Sequence, residues 1–230
     1  LIFLERDIMM HEDWIEIFLD SSVSVTMHSS YWKDFFDPKV FYQLKDNGLL
    51  YPIDPTVIDG KEILYPIEGI KSDCIAHNDG EEIFIEPLEG HLSSISKKIT
   101  EIDLLEMSPH VFYDLLASTN GFQRLISEVQ LLPGFEAIGT KMVNDKSIFW
   151  LIYKGKDLSD VSKVSLQIKI LEEKGFDHVL ISVRPNSACD ISNLDESFRV
   201  FPLQTNLLLD PGAFDFFVEG CLIENIVDMT

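Results

Sequence analysis

The densest run of side chains able to do chemistry lies between residues 71 and 91. His77 and His91 flank Asp79, Glu81, Glu82, Glu86 and Glu89. Imidazoles and carboxylates together are ligands for a divalent cation. Glu82, Phe84 and Glu86, however, alternate with Ile83 and Ile85, and successive strand residues point to opposite faces. The spacing matches no metal-binding loop, so the run reads as a strand with one wet, acidic face. A second candidate is Cys189 beside Asp190, just past a buried strand. A reactive thiolate needs a base or a positive charge within reach. His178 stands at the other end of that strand, too far along it to serve. The chain has no Gly-rich phosphate loop, no HExxH, no CxxC, no GxSxG and no EF-hand spacing. The sequence therefore calls for no metal and no cofactor.

Glu136 and Lys154 form the last constellation, and the elements that carry them are the best defined in the chain. Phe135–Val143 (FEAIGTKMV) reads as a strand and Asn144, Asp145 and Lys146 as a polar turn. Residues 147–153 (SIFWLIY) are apolar on both faces, which marks a central strand. Asp157 opens a helix, its carboxylate placed to accept the amide of Asp160. Leu158, Val161, Val164, Ile168 and Leu171 then recur at helical spacing as one buried stripe. Gly175 supplies the left-handed residue that ends the helix. Residues 179–183 (VLISV) are a short buried strand, closed by Arg184 and Pro185. A parallel return of that strand crosses over right-handed.

Phe122, Leu125, Ile126 and Val129 predict a helix over 122–131. With it, the order of elements resembles the core of the PD-(D/E)XK nuclease superfamily. In that family an acid on one strand and a D/E-x-K signature on the next bind metal and polarise water. The resemblance implies Glu136 as the first acid and Lys154 as the lysine. Two residues before the lysine stands Ile152, which has no ligand atom, and Asp145 lies in the turn. The resemblance covers about a quarter of the chain and implies a degenerate metal-dependent nuclease-like site.

Composition bounds the rest. With 230 residues and 46% apolar side chains, a real core is expected, in one large domain or two small ones. Formal charge is −21, from 39 acidic and 18 basic residues. Such a surface repels nucleic acid and anionic membranes and attracts a basic protein partner. Cys74, Cys189 and Cys221 have no paired spacing, so a disulfide framework is not expected and a reducing cytoplasm fits. No apolar run reaches the ~20 residues of a membrane span. Leu1 to Leu4 are apolar, but Glu5 and Asp7 follow at once, unlike a secretory leader.

Along the chain, Trp14, Ile17 and Phe18 share one side of a short helix. Asp37 caps a helix with Pro38 at its first position and Val40, Phe41 and Leu44 inside. Residues 49–54 (LLYPID) and 63–68 (ILYPIE) form a near-repeat around Asp59-Gly60. They read as the two strands of a hairpin, kept to an edge by Pro52 and Pro66. A helix before a hairpin also suits a winged helix, though so acidic a segment opposes DNA binding. Leu92, Ile95, Ile99, Ile102 and Leu105 keep helical spacing. Ser108-Pro109 starts another helix, broken at Asn120-Gly121. Residues 198–203 suit an edge strand.

The expected fold is α+β, a mixed α/β arrangement. An N-terminal helix–hairpin region over 1–90 leads into central helices and a strand–strand–helix–strand core within 91–230; the two parts can form one continuous domain. The expected function is that of a non-enzymatic acidic interaction protein in the cytoplasm, such as an immunity or inhibitor protein or an assembly subunit. It would dock on a basic protein, with no direct nucleic acid and no membrane. Glu81, Glu82, Glu86 and Glu89 would steer the partner, and Trp32 and Phe35 would anchor it. The alternative is the degenerate nuclease-like domain with Glu136 and Lys154 as its catalytic residues.

Overall fold

Period-two alternation over residues 62–87 folds into inner strands of a seven-stranded sheet. The computed structural model describes residues 14–90, 92–124, 129–155, 161–184, 198–203, 206–207 and 214–215. The chain divides into two compact units, residues 1–111 and 112–230, and the fold class is α+β.

In the first unit, α1 (Trp14–Asp20) leads to β1 (Val25–His28), α2 (Ser29–Phe35) and α3 (Pro38–Asp46). Asp37 caps α3 as expected, its carboxylate accepting the Lys39 amide at 2.9 Å. There follow β2 (Leu50–Pro52), β3 (Glu62–Ile67), β4 (Ile70–Asn78), β5 (Glu82–Pro87), β6 (Ile95–Lys98) and β7 (Leu104–Met107). The sheet order is β2-β7-β1-β3-β4-β5-β6. Ile63, Tyr65, Ile67, Cys74, Ala76, Ile83 and Ile85 line one face and pack with Ile53, Ile58 and Leu104 into a dry core. Each of the isoleucines and Leu104 withdraws enough apolar surface to stabilise the fold by about 1.5–3 kcal/mol.

Two expectations are corrected here. The near-repeat strands do not pair: β7 and β1 lie between β2 and β3. The hairpin is β3–β4 instead, closed by Glu68 and Gly69 with φ of 51° and 80°. Two positive φ values give the turn whose twist matches the flanking strands. Pro52 does lie in an edge strand. Pro66 sits inside the sheet, in register with Lys71 of β4, while β1 is matched with β3 only at Met27–Leu64, so no β1 residue stands opposite Pro66 to require an N–H. The helix expected through Leu92, Ile95, Ile99, Ile102 and Leu105 is likewise absent. Ile95, Ile99 and Leu105 fall in β6, a single 3₁₀ turn (Ile99–Glu101) and β7, with Leu92 and Ile102 in the connections. A strand, a turn and a strand happened to reproduce helical spacing, and tertiary pairing with β5, β1 and β2 decides the outcome.

The second unit carries most of α4 (Pro109–Thr119), then β8 (Phe135–Val143), β9 (Lys146–Tyr153), α5 (Val161–Glu173), β10 (His178–Val183) and β11 (Phe198–Pro202). Its sheet order is β11-β10-β9-β8, so β9 is interior and β11 is the edge strand its Pro202 suggests. Asn144 and Asp145, with φ of 48° and 64°, close the β8–β9 hairpin. β10 runs parallel to β9, with α5 as the connection. Val164, Ile168 and Leu171 of α5 are buried against Phe149, Leu151, Val179 and Ile181. Gly175, at φ 93°, ends the helix, and the Phe176 amide reaches back to the Leu171 carbonyl at 3.2 Å.

The helix expected over 122–131 is not formed at its start. Gln123 makes a two-way backbone bridge with Thr140, at 2.8 and 2.9 Å. Residues 125–128 of that segment lie outside the described residues, as do His91, Asp157, Leu158, Asp160, Cys189, Asp190 and Cys221. A Cβ on Gly139 would stand 2.5 Å from the Gln123 carbonyl oxygen, so only glycine admits the bridge. A bulge between Ala137 and Gly139 accommodates it.

Gln167 is fully buried on α5. Its Oε1 accepts the Leu132 amide at 2.7 Å, and its Nε2 donates to the Gln130 carbonyl at 3.3 Å. Gln167→Leu strands both backbone groups and is expected to cost about 1–3 kcal/mol. Urea unfolding should show a lower midpoint at unchanged slope. Asp177 clips the strand starts together, accepting the Ser147 amide at 2.7 Å and its hydroxyl at 2.8 Å. Those bonds hold its carboxyl below the ordinary value of 3.8. Its contribution is therefore complete above that value and is lost as pH falls through the lowered one. Asp177→Asn should lower Tm at neutral pH, and the gap to the parent should close in acid.

Candidate functional site

The alternation that dries one face of β3–β6 pushes polar side chains onto the other. Register gives that outer face its rows. Glu62, Ile75 and Glu86 stand side by side across β3, β4 and β5. Leu64 stands beside Asp73, and His77 beside Phe84 and Ser96. Glu82 stands beside Lys98, and Pro66 beside Lys71. Four carboxylates thus share the face with Lys71, Lys98 and His77. Phe84 lies among them with 40% of its surface exposed. Phe84 is the residue that sequence reasoning passed over as an anchor, although the reading of residues 82–86 already placed it on the wet side.

The acids of this region divide by role. Asp79 belongs to the β4–β5 turn, accepting the amides of Glu81 and Glu82 at 3.0 and 2.8 Å, which hold its carboxyl below the usual range. Glu82 accepts a hydrogen bond from the Ser96 hydroxyl. Glu86 approaches His77 Nε2 at 3.6 Å, and Asp59 approaches His77 Nδ1 at 3.9 Å. Glu81 and Glu89 are exposed, in the turn and beyond the end of β5. No group of three or more His, Cys, Asp and Glu able to hold a metal ion occurs among the described residues.

The expected aromatic anchors fare differently. Trp32 is 1% exposed, stacks on Phe36 with centroids 5.8 Å apart and donates its indole N–H to the Leu105 carbonyl at 3.0 Å. It is a core residue, and no partner reaches its ring in this unit. Phe35 is partly buried beside both of them. An aromatic cluster after a helix start reads the same whether it faces inward or outward, so sequence alone cannot assign it.

Glu136 and Lys154 do meet. Glu136 pairs in register with Ile152, and the Lys154 Nζ lies 3.5 Å from its carboxylate. Their neighbours are cationic. Arg184, buried at the end of β10, donates Nε–H to the Lys154 carbonyl at 2.8 Å. Arg124 donates to the Ala137 and Ile138 carbonyls, forms an ion pair with Asp114 at 2.8 Å and faces the Tyr113 ring. The Tyr113 hydroxyl is buried with no hydrogen-bond partner. Burial pushes its phenol well above the ordinary range, with Glu136 adding and Arg124 and Arg184 opposing. A magnesium-type site needs several oxygen ligands around the ion. Among the described residues a single carboxylate meets a lysine here, with Ile152 where a second acid would stand, so the described donor set does not fit a metal.

No protein-family model matches the chain, and no curated protein matches it. No helix among the described residues is long and apolar enough to cross a membrane.

Calorimetric titration with magnesium or manganese is expected to show no heat that Glu136→Ala removes. A Glu136-dependent heat at millimolar metal would restore the nuclease-like reading.

Proposed function

We propose that this chain is a non-enzymatic interaction protein that docks a basic protein partner on the outer face of β3–β6. One observation carries the proposal: Glu62, Asp73, Glu82 and Glu86 share a sheet face with the half-exposed ring of Phe84. Carboxylates raise the rate of encounter with a cationic surface, while an aromatic ring slows departure once it is covered. An immunity or inhibitor protein, or an acidic subunit of a larger assembly, works in this way. The buried, free Cys74 suits a reducing cytoplasm. Its thiol, pushed up to about 11 chiefly by burial, is not poised as a nucleophile.

The nuclease-like alternative is favoured only by the 3.5 Å approach of Lys154 to Glu136. An ion pair with one acid explains that approach without catalysis.

The test is affinity capture at low salt followed by kinetics on the captured protein. The partner should be basic. Glu82→Gln with Glu86→Gln should lower the association rate by about tenfold and flatten its salt dependence. Phe84→Ala should act on the dissociation rate, at a cost of about 1–3 kcal/mol. Recovery of no basic protein at low salt, or kinetics indifferent to all three changes, would overturn the proposal.

A further inference from the structure

At one end of the acidic face lies a cleft of about 340 Å³, where the chain from α1 into β1 meets β3 and β4. That volume is within the range of small-ligand sites. Its walls come from three sources. The chain from α1 to β1 contributes Asp20, Ser21, Ser22, Val23, Ser24 and Val25; β3 contributes Glu62, Ile63 and Leu64; β4 contributes Asp73.

The chemistry of these walls is one-sided. Three carboxylates line the cleft and, among the described residues, no lysine, arginine or histidine does. Glu62 and Asp73 have no ion-pair partner among the described residues. Ser21, only 6% exposed, stands in the wall with its Oγ buried and without a hydrogen-bond partner. Val23, Val25 and Leu64 give the same cleft an apolar lining. An occupant that suits all of this has an aliphatic stem and a cationic head with several N–H donors. Lysine and arginine side chains have that form.

We propose that the cleft receives a lysine or arginine side chain projected by the docked partner. The inference rests on the docking reading, because Glu62 and Asp73 belong both to the acidic face and to the cleft wall. It goes further by naming a pocket and the chemical class that fills it. A partner lying over Glu86 and Phe84 has the row Glu62–Ile75–Glu86 to follow toward the cleft. Carboxylates buried by the partner's body bind a fork of donors more strongly than exposed ones do.

The experiment titrates the full chain with N-acetyl-arginine amide, N-acetyl-lysine amide and, as a neutral control, N-acetyl-citrulline amide, followed by amide chemical shifts. Expected are saturable millimolar binding of the two cationic probes and shifts centred on residues 20–27 and 62–64. The citrulline probe should not saturate. Glu62→Gln combined with Asp73→Asn should weaken the cationic probes by about tenfold, while Phe84→Ala leaves them unchanged. The same double variant should accelerate release of the captured partner. Absence of saturable probe binding, or binding undiminished in the double variant, overturns the cleft and leaves the docking reading to its own kinetic test. Probe binding that is lost in the double variant, while release of the partner is unaltered, overturns the assignment to a partner's side chain. It would instead identify a site for a free organic cation.

Discussion

The first unit depends on keeping one face of a twisted sheet dry. Ile63, Tyr65, Ile67, Cys74, Ala76, Ile83 and Ile85 all point to that face and make its core. With a repeat of two residues, every position between them must point the other way. Glu62, Asp73, Glu82 and Glu86 are therefore gathered on one surface by the same alternation that builds the interior. A one-residue slip of any strand would bury a carboxylate and expose an isoleucine, so register is strongly specified. The turn at Glu68-Gly69 and the Asp79 cap on the β4–β5 turn hold it in place. The acidic face is a consequence of folding correctly.

The second unit obeys a different constraint. β9 is covered on both faces and hydrogen-bonded on both edges, so Ile148 to Ile152 have no contact with water. Polar groups near it must be matched from within. Trp150 donates to the Ser182 hydroxyl on the neighbouring strand at 2.7 Å. Gln167 satisfies two backbone groups ahead of β8. Arg184 and Lys154 end the two parallel strands side by side. Ligands often bind at such strand ends in α/β sheets. Here Glu136 is held by Lys154, and among the described residues no second acid converges on it.

What was legible in the sequence was whatever is set by neighbours along the chain. The β8–β9 hairpin, the stripe of α5, the Gly175 stop and the Asp37 cap all rest on local turn and capping chemistry, and each lies where its residues indicate. What was illegible is set by partners far away. β6 and β7 borrow helical spacing until β5, β1 and β2 claim them. The two YPI segments look like mutual partners until β7 and β1 separate them. The acids of 79–89 were visible as a wet edge. The cleft was not, because it forms where residues 20–27 meet β3 and β4, strands far from them along the chain. Trp32 shows the converse limit, since a ring suited to an interface is equally suited to a core.

A net charge of −21 invites the view that every acid is surplus, and the structure argues otherwise. Asp37 and Asp54 accept backbone amides at the starts of α3 and the 3₁₀ turn Pro55–Val57. Asp79 closes a turn and Asp177 ties β9 to the start of β10. Glu106 is buried in β7 and matched by Lys61 at 2.9 Å, where removing either partner would strand the other. These carboxylates are committed to the fold at close range and are little affected by what approaches the surface. Glu62 and Asp73 have no such employment among the described residues. Self-repulsion between acids on one face opposes the compact state. The dry core opposite them must offset it, and a cation brought to the face relieves it. In the proposed docking, binding of a basic partner and stabilisation of the first unit are therefore two readings of one electrostatic energy, coupled by mass action.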